Sequence, residues 1–232
     1  MRILGIESSS LVASVALVTD GILTAEYTVN YKKTHSQTLL PMLDEMVRLL
    51  ELELETIDGI AVSAGPGSFT GLRIGSATAK GLGLALKKPL LHIPTVDAMA
   101  YNLWGSSALI CPIMDARRNQ VYTGLYYVEQ ELDVVKEQCA MDMNQLLGEL
   151  NDRGERVIFL GDGVPVYRDT IQERLAAPYS FAPAQSSRQR AASVAALGML
   201  YMEAGRMETA AEHKPEYLRK PQAEREREGT LL

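Results

Sequence analysis

Between Ile60 and Gly75 the chain reads Ile-Ala-Val-Ser-Ala-Gly-Pro-Gly-Ser-Phe-Thr-Gly-Leu-Arg-Ile-Gly, an order that few folds accommodate. Ile60 to Ala64 is an apolar run of strand length, and Gly65-Pro66-Gly67 breaks it. Ser68 is then a good N-cap for the helix that follows. Free backbone N–H groups at such a helix start could hold a phosphate, or the turn could simply connect two elements.

The helix is predicted over Phe69 to Leu86. It carries Gly71, Gly75, Ala79 and Gly83 at every fourth position, which stacks them on one face. Each helical Gly costs about 0.5–1 kcal/mol relative to Ala. With Gly81 the four glycines sum to roughly 2–4 kcal/mol, a sizeable share of a typical domain's stability. A second backbone brought very close to the smooth face would offset this. The protein's own sheet or a partner's helix could supply it.

Asp58-Gly59 ends the loop before this unit, and the rest of the chain is organised around it. Strands are predicted at Ile3–Glu7, Val12–Val18 and Ile22–Asn30, with Asp20-Gly21 as the hairpin turn between the last two. A helix over Ser36–Leu52 precedes the glycine-rich unit. A strand at Pro89–Ile93 and a helix at Thr95–Trp104 follow it, and Gly105-Ser106-Ser107 marks a boundary. The second half repeats the order: strands at Ala108–Met114, Gln120–Val128 and Leu132–Gln138, a helix at Asp142–Asn151, a strand at Arg156–Leu160, the Gly161-Asp162-Gly163 turn and a helix from Pro165. Glu7 and Asp115 fall at matching turns. Two similar α/β lobes with a cleft between them are expected, at 1–105 and 106–212, with a helix at Ala191–Ala204 closing the second. Residues 213–232 form a charged, proline-punctuated tail.

The Ser36–Leu52 helix is apolar around about half its cylinder, through Leu39, Leu40, Met42, Leu43, Met46, Val47, Leu49 and Leu50. One sheet contact needs a stripe of only ~100°. A helix this wide is deeply buried or packs on two surfaces, and next to the small-faced helix it suggests a docking surface. The predicted partner contacts are Leu39, Leu40, Leu43, Met46, Val47 and Leu50 on the first helix, and Gly71, Leu72, Gly75, Ser76, Ala79 and Gly83 on the second.

A chain of 232 residues with 47% hydrophobic content can bury a real core. Its net charge of −6 and scattered basic residues disfavour unaided nucleic-acid binding, which draws most of its affinity from phosphate contacts. Cys111 and Cys139 lack metal-ligand spacing and read as reduced thiols. No stretch approaches the ~20 apolar residues of a membrane span, and no signal pattern precedes the first strand, so a cytoplasmic protein is expected.

Catalytic patterns are sparse. His35, His92 and His213 are far apart in sequence, none has a second histidine at helical spacing, and each is read as structural. Ser8-Ser9-Ser10 could meet a phosphate, but no P-loop lysine accompanies it. Glu7 and Asp115 could face each other across the cleft, although polar turns commonly carry a lone carboxylate. Asp115-Ala-Arg-Arg118, Asp162 and Tyr167 are ordinary turn and helix residues on the same argument.

Several segments together resemble one family. Ile3-Leu-Gly-Ile-Glu-Ser-Ser-Ser10, His35-Ser-Gln-Thr-Leu-Leu-Pro41, Ser63 to Gly75, Met114-Asp-Ala-Arg-Arg118 and Tyr217-Leu-Arg-Lys-Pro-Gln-Ala-Glu224 are similar, in order, to the bacterial TsaB family, formerly YeaZ. Asn119-Gln120 departs from the commoner Gly-Glu-like turn. The resemblance implies the ASKHA (actin/Hsp70-like) fold and a part in making threonylcarbamoyladenosine beside the tRNA anticodon. It further implies a catalytically silent paralogue of TsaD that docks on TsaD through its first two helices, acts with the ATPase TsaE and can also form a homodimer. No cofactor is then expected to bind this chain tightly, since ATP and a metal ion belong to the partner subunits, and tRNA is met only within the complex. TsaD holds its metal through a His-x-x-x-His motif after the strand that follows the glycine-rich helix. The corresponding His92-Ile-Pro-Thr-Val-Asp-Ala-Met-Ala100 has no second histidine, so no metal site is expected there. The competing expectation is an autonomous ASKHA-type ATPase or small-molecule kinase; a metallopeptidase is weaker for want of ligands.

Overall fold

A computed structural model describes residues 1–219, so Lys220–Glu224 of the tail motif and the residues after them lie outside the described part. The first half runs β1 (Arg2–Glu7), β2 (Val12–Thr19), β3 (Ile22–Asn30), α1 (His35–Leu50), β4 (Gly59–Gly65), α2 (Phe69–Leu86), β5 (Leu90–Pro94) and α3 (Thr95–Tyr101). The second runs β6 (Ser106–Asp115), β7 (Gln120–Val128), β8 (Asp133–Asp142), α4 (Met143–Arg153), β9 (Val157–Leu160), α5 (Val164–Arg174), β10 (Tyr179–Phe181) and α6 (Ala191–Glu203). The strand β10 was not expected. It has three residues between Pro178 and Pro183, too few to show any periodicity.

Both sheets have five strands, in the orders β3-β2-β1-β4-β5 and β8-β7-β6-β9-β10. These are the same order element for element, antiparallel across the three leading strands and parallel to the last two. This is a mixed α/β fold of two similar lobes, as the sequence leads one to expect. Asp20 and Gly21 both have positive φ, as the predicted hairpin turn requires.

Period-two alternation sends side chains to two faces of each sheet. Leu4, Ile6, Ile60 and Val62 pack outward with Leu39, Leu43 and Met46 of α1 and Ala79 of α2. Ile3, Ala61, Leu91 and Ile93 pack inward with Val194, Ala195 and Leu197 of α6. In the second sheet Leu109, Cys111 and Ile113 pack outward with α4 and α5, while Ile110 and Met114 pack inward with Val96, Met99 and Ala100 of α3.

The third helix of the second half does not close that half. α6 lies across the first sheet and contacts all five of its strands, while α3 packs more extensively on β6 and β7 than on its own β4 and β5. The first sheet also supplies polar partners for the start of α6. Ser14 Oγ accepts from Ala191 N at 3.1 Å, Glu26 accepts from Ala192 N at 3.1 Å, and Arg190 pairs with Glu26. Gly198 brings α6 so close that a β-carbon there would meet Ala61 Cβ at 2.6 Å. Each half thus lends its third helix to the other half's inner face. Sequence order assigns α6 to 106–212, but its apolar surface is spent on the first sheet.

Candidate functional site

Strand β4 leads through Gly65-Pro66-Gly67 into α2, and Ser68 caps that helix by accepting from Gly71 N at 3.3 Å. Directly opposite lies the β1–β2 turn. Ser68 N donates to Ser9 O at 2.6 Å, and a β-carbon at Gly67 would meet Ser9 O at 2.3 Å. The Ser68 N–H that could have met a phosphate is therefore taken by this chain's own serine turn. Ser8 Oγ donates to Gly71 O at 2.9 Å, and Ser9 donates through both its amide and its hydroxyl to Glu7 at 2.6 Å.

The small face of α2 is likewise occupied from within. Gly71, Leu72, Gly75, Ser76, Ala79 and Gly83 are all buried. A β-carbon at Gly75 would meet Ser8 Oγ at 2.1 Å, and one at Gly83 would meet Leu90 Cδ2 at 3.0 Å. These six residues, expected to face a partner, instead seat the helix on its own sheet. On α1, Leu39, Leu43 and Met46 are buried, and Val47 and Leu50 are half-buried against the same core. Of the twelve predicted contacts only Leu40 is substantially exposed, at 54%. The wide apolar arc of α1 follows from packing on both α2 and β2, which takes up more of its circumference than a sheet alone.

A different face remains open. Two positions out of phase with the buried row, α2 carries Ala77, Gly81 and Ala85, again four apart and all exposed. Nothing lies within 4 Å of where a Gly81 β-carbon would stand. Leu84 (66%) beside this row, and Leu40 and Leu49 on α1, are exposed apolar side chains on the same two helices. The spacing-of-four signal was present twice in α2, and only the fold tells the inward row from the outward one.

The cleft between the lobes encloses about 530 Å³ and is lined by Ser9, Ser10, Asp115 and Asp162, among others. Glu7 does not line it. Its carboxyl lies buried behind Ser9, and burial pushes it up to about 7 against the hydrogen bonds from Ser9. The carboxylate pair that Glu7 and Asp115 could have formed across the cleft is therefore not built. Asp115 accepts from Arg117 N at 2.8 Å, and Asp162, raised mainly by burial, accepts from Gln189 Nε2 at 3.0 Å. The described part of the tail runs over this cleft: Tyr217 packs on Phe69 with ring centroids 4.9 Å apart, and Arg219 donates to Ala116 O. His35 Nε2 lies 3.0 Å from Val12 O. His92 and His213, unrelated in sequence, meet around Glu208. Among the described residues no helix is long and apolar enough to cross a membrane.

The family model described as "TsaD: tRNA N6-adenosine threonylcarbamoyltransferase" matches residues 23–227. A tRNA threonylcarbamoyladenosine biosynthesis protein TsaB of Bacillus subtilis is 33% identical over 230 residues, covering 97% of this chain and 96% of that one. The Escherichia coli protein of the same name is 34% identical over 161 residues, covering 64% of this chain and 69% of that one. A crystal structure of a Pseudomonas aeruginosa protein with similarity to peptidase YEAZ superposes with a TM-score of 0.79 at 25% identity, covering 94% of this chain and 99% of that one. With a full-length relative and a fold that agree, this chain belongs to the TsaB (YeaZ) family.

Proposed function

We propose that this chain is the non-catalytic docking subunit of the assembly that makes threonylcarbamoyladenosine in tRNA, working in the cytoplasm. In this reading it binds TsaD through the outward faces of α1 and α2 and enables TsaE to act on the pair. The observation that carries it is the exposed row Ala77, Gly81 and Ala85. It lets another backbone approach closely, next to the exposed Leu84. The curated relatives' names supply the pathway. The acidic balance of −6 supports tRNA being held by another subunit. The same face can serve a homodimer.

Gly81→Arg and Ala77→Arg test this directly. Both positions are exposed, so the variants keep their far-UV circular dichroism and melting temperature. Size-exclusion chromatography with purified TsaD is expected to lose the complex in both. Retained complex in both folded variants would remove the docking role of this face.

A second reading rests on the 530 Å³ cleft with Asp115 and Asp162 on its wall: an autonomous ASKHA-type ATPase or small-molecule kinase. Calorimetry with ATP and Mg²⁺ separates the two, since turnover by the isolated chain belongs only to the second.

A further inference from the structure

Two stretches of chain meet at the outer edge of β5. His92 sits in β5, and residues 207–213 run alongside it, with Leu90 N donating to Glu208 O at 2.8 Å and Glu208 N to Leu90 O at 3.0 Å. His213 is held behind them, its amide donating to Thr209 O at 3.1 Å and its carbonyl accepting from Lys80 Nζ at 3.0 Å. Backbone contacts thus bring the three residues together before any ligand arrives. Glu208 Oε1 faces both imidazoles: it pairs with His213 Nδ1 and lies 3.6 Å from His92 Nδ1. One ligand atom from each residue lies within 4.8 Å of the others, and among the described residues this is the one such cluster.

We propose that His92, Glu208 and His213 form a divalent-metal site of the zinc type that clasps the C-terminal segment to the edge of the first sheet. Two imidazole nitrogens and a carboxylate oxygen are a zinc donor set, with bonds of about 2.0–2.2 Å that modest side-chain rotation can close around one ion. Three protein ligands leave a fourth position for water, and His92, 33% exposed, gives the ion a way in. Glu216 Oε2 lies 4.0 Å from the far nitrogen of His92, beyond hydrogen-bond distance but on the side from which a carboxylate orients a ligating histidine. The side chain of His213 is fully buried with Nδ1 turned toward Glu208, so Nδ1 is the nitrogen that an ion would take.

The clasp has a mechanical meaning. Just beyond it the segment reaches the second lobe, where Gln138 Nε2 donates to Glu216 at 3.0 Å and Arg219 donates to Ala116 O. An ion at His92 would strengthen a strap running from the first sheet across the interlobe cleft. The donor set differs from the histidine pair implied for TsaD, because two of its three ligands come from the C-terminal segment.

The test uses the full chain, freed of metal with EDTA and titrated with ZnCl₂. Calorimetry is expected to give one ion per chain, with a rise in melting temperature and slower proteolysis of the C-terminal segment. Co²⁺ in place of Zn²⁺ is expected to show the visible bands of a four-coordinate site. His92→Ala is a change at a partly exposed position and Glu208→Gln is isosteric, so both keep the fold. Each is expected to weaken zinc binding by more than the roughly 10–100-fold that loss of an outer partner costs. No heat and no melting shift in the wild type, or an unchanged response in both folded variants, overturns the site and leaves only side-chain contacts between Glu208 and the histidines.

Discussion

Gly71 lies so close to Ser8 that a β-carbon on it would stand 2.1 Å from the Ser8 carbonyl oxygen, while the Ser8 hydroxyl donates back to Gly71 O at 2.9 Å. The contact fastens the start of α2 to the first strand turn. It also decides which glycines of α2 are structural. Leucine at Gly75 or Ala79, inside the same buried row, would disrupt the fold and report nothing about a partner.

Gly71→Ala is expected to destabilise the protein by roughly 1–3 kcal/mol, because the obstructing atom is backbone and cannot rotate away. Gly81→Ala has the opposite sign: with open space around it, it gains about 0.5–1 kcal/mol of helix propensity. Urea denaturation of the two variants checks both. Equal effects would contradict the assignment of the inward and outward rows.

Glu7 predicts a pH dependence. Its carboxyl is raised from 4.5 to about 7 by burial, so the folded chain keeps a proton that the unfolded chain has released. Stability therefore falls as pH climbs from about 4.5 to 7 and stays low above that, by on the order of 3 kcal/mol. Glu7→Gln, neutral and still able to accept from Ser9 N, should flatten this loss. Melting curves at pH 5 and pH 8 decide it, and parallel falls in both proteins would dismiss the assignment.

Tyr126 of β7 donates its hydroxyl to Asp97 of α3 at 2.8 Å, joining the borrowed helix to the second sheet. Burial raises Asp97 to about 6, with the Tyr126 hydrogen bond opposing the rise. Tyr126→Phe removes the donor and leaves a buried carboxyl without it, an expected cost of about 1–3 kcal/mol. Chemical denaturation measures it, and an unchanged midpoint would mean that the pair contributes nothing.

Cys111 is fully buried and its thiol is pushed up to about 12, chiefly by burial. A thiol reagent at pH 8 should therefore label Cys139, which is partly exposed, and reach Cys111 only after unfolding. Labelling of both at equal rates in the native protein would contradict the packing of β6.

Local pattern settled much of this protein. The alternation of Leu4, Ile6, Ile60 and Val62 with Ile3 and Ala61, the Asp20-Gly21 turn and the Ser68 cap are written within a few residues each, and so were legible in sequence. Two repeated halves, and a family likeness carried by ordered motifs, followed from the same one-dimensional information. Helical spacing groups Gly71 with Gly75 and Ala77 with Gly81, but periodicity is blind to direction: it cannot say which group turns toward the sheet. That took Ser8, more than sixty residues upstream of Gly71, and the tertiary contact between them. The exchange of α3 and α6, the burial of Glu7 behind Ser9, and the meeting of His92 with His213 were equally beyond the sequence. Each depends on chain segments brought together by burying apolar surface, and no local spacing encodes which distant segment will cover which face.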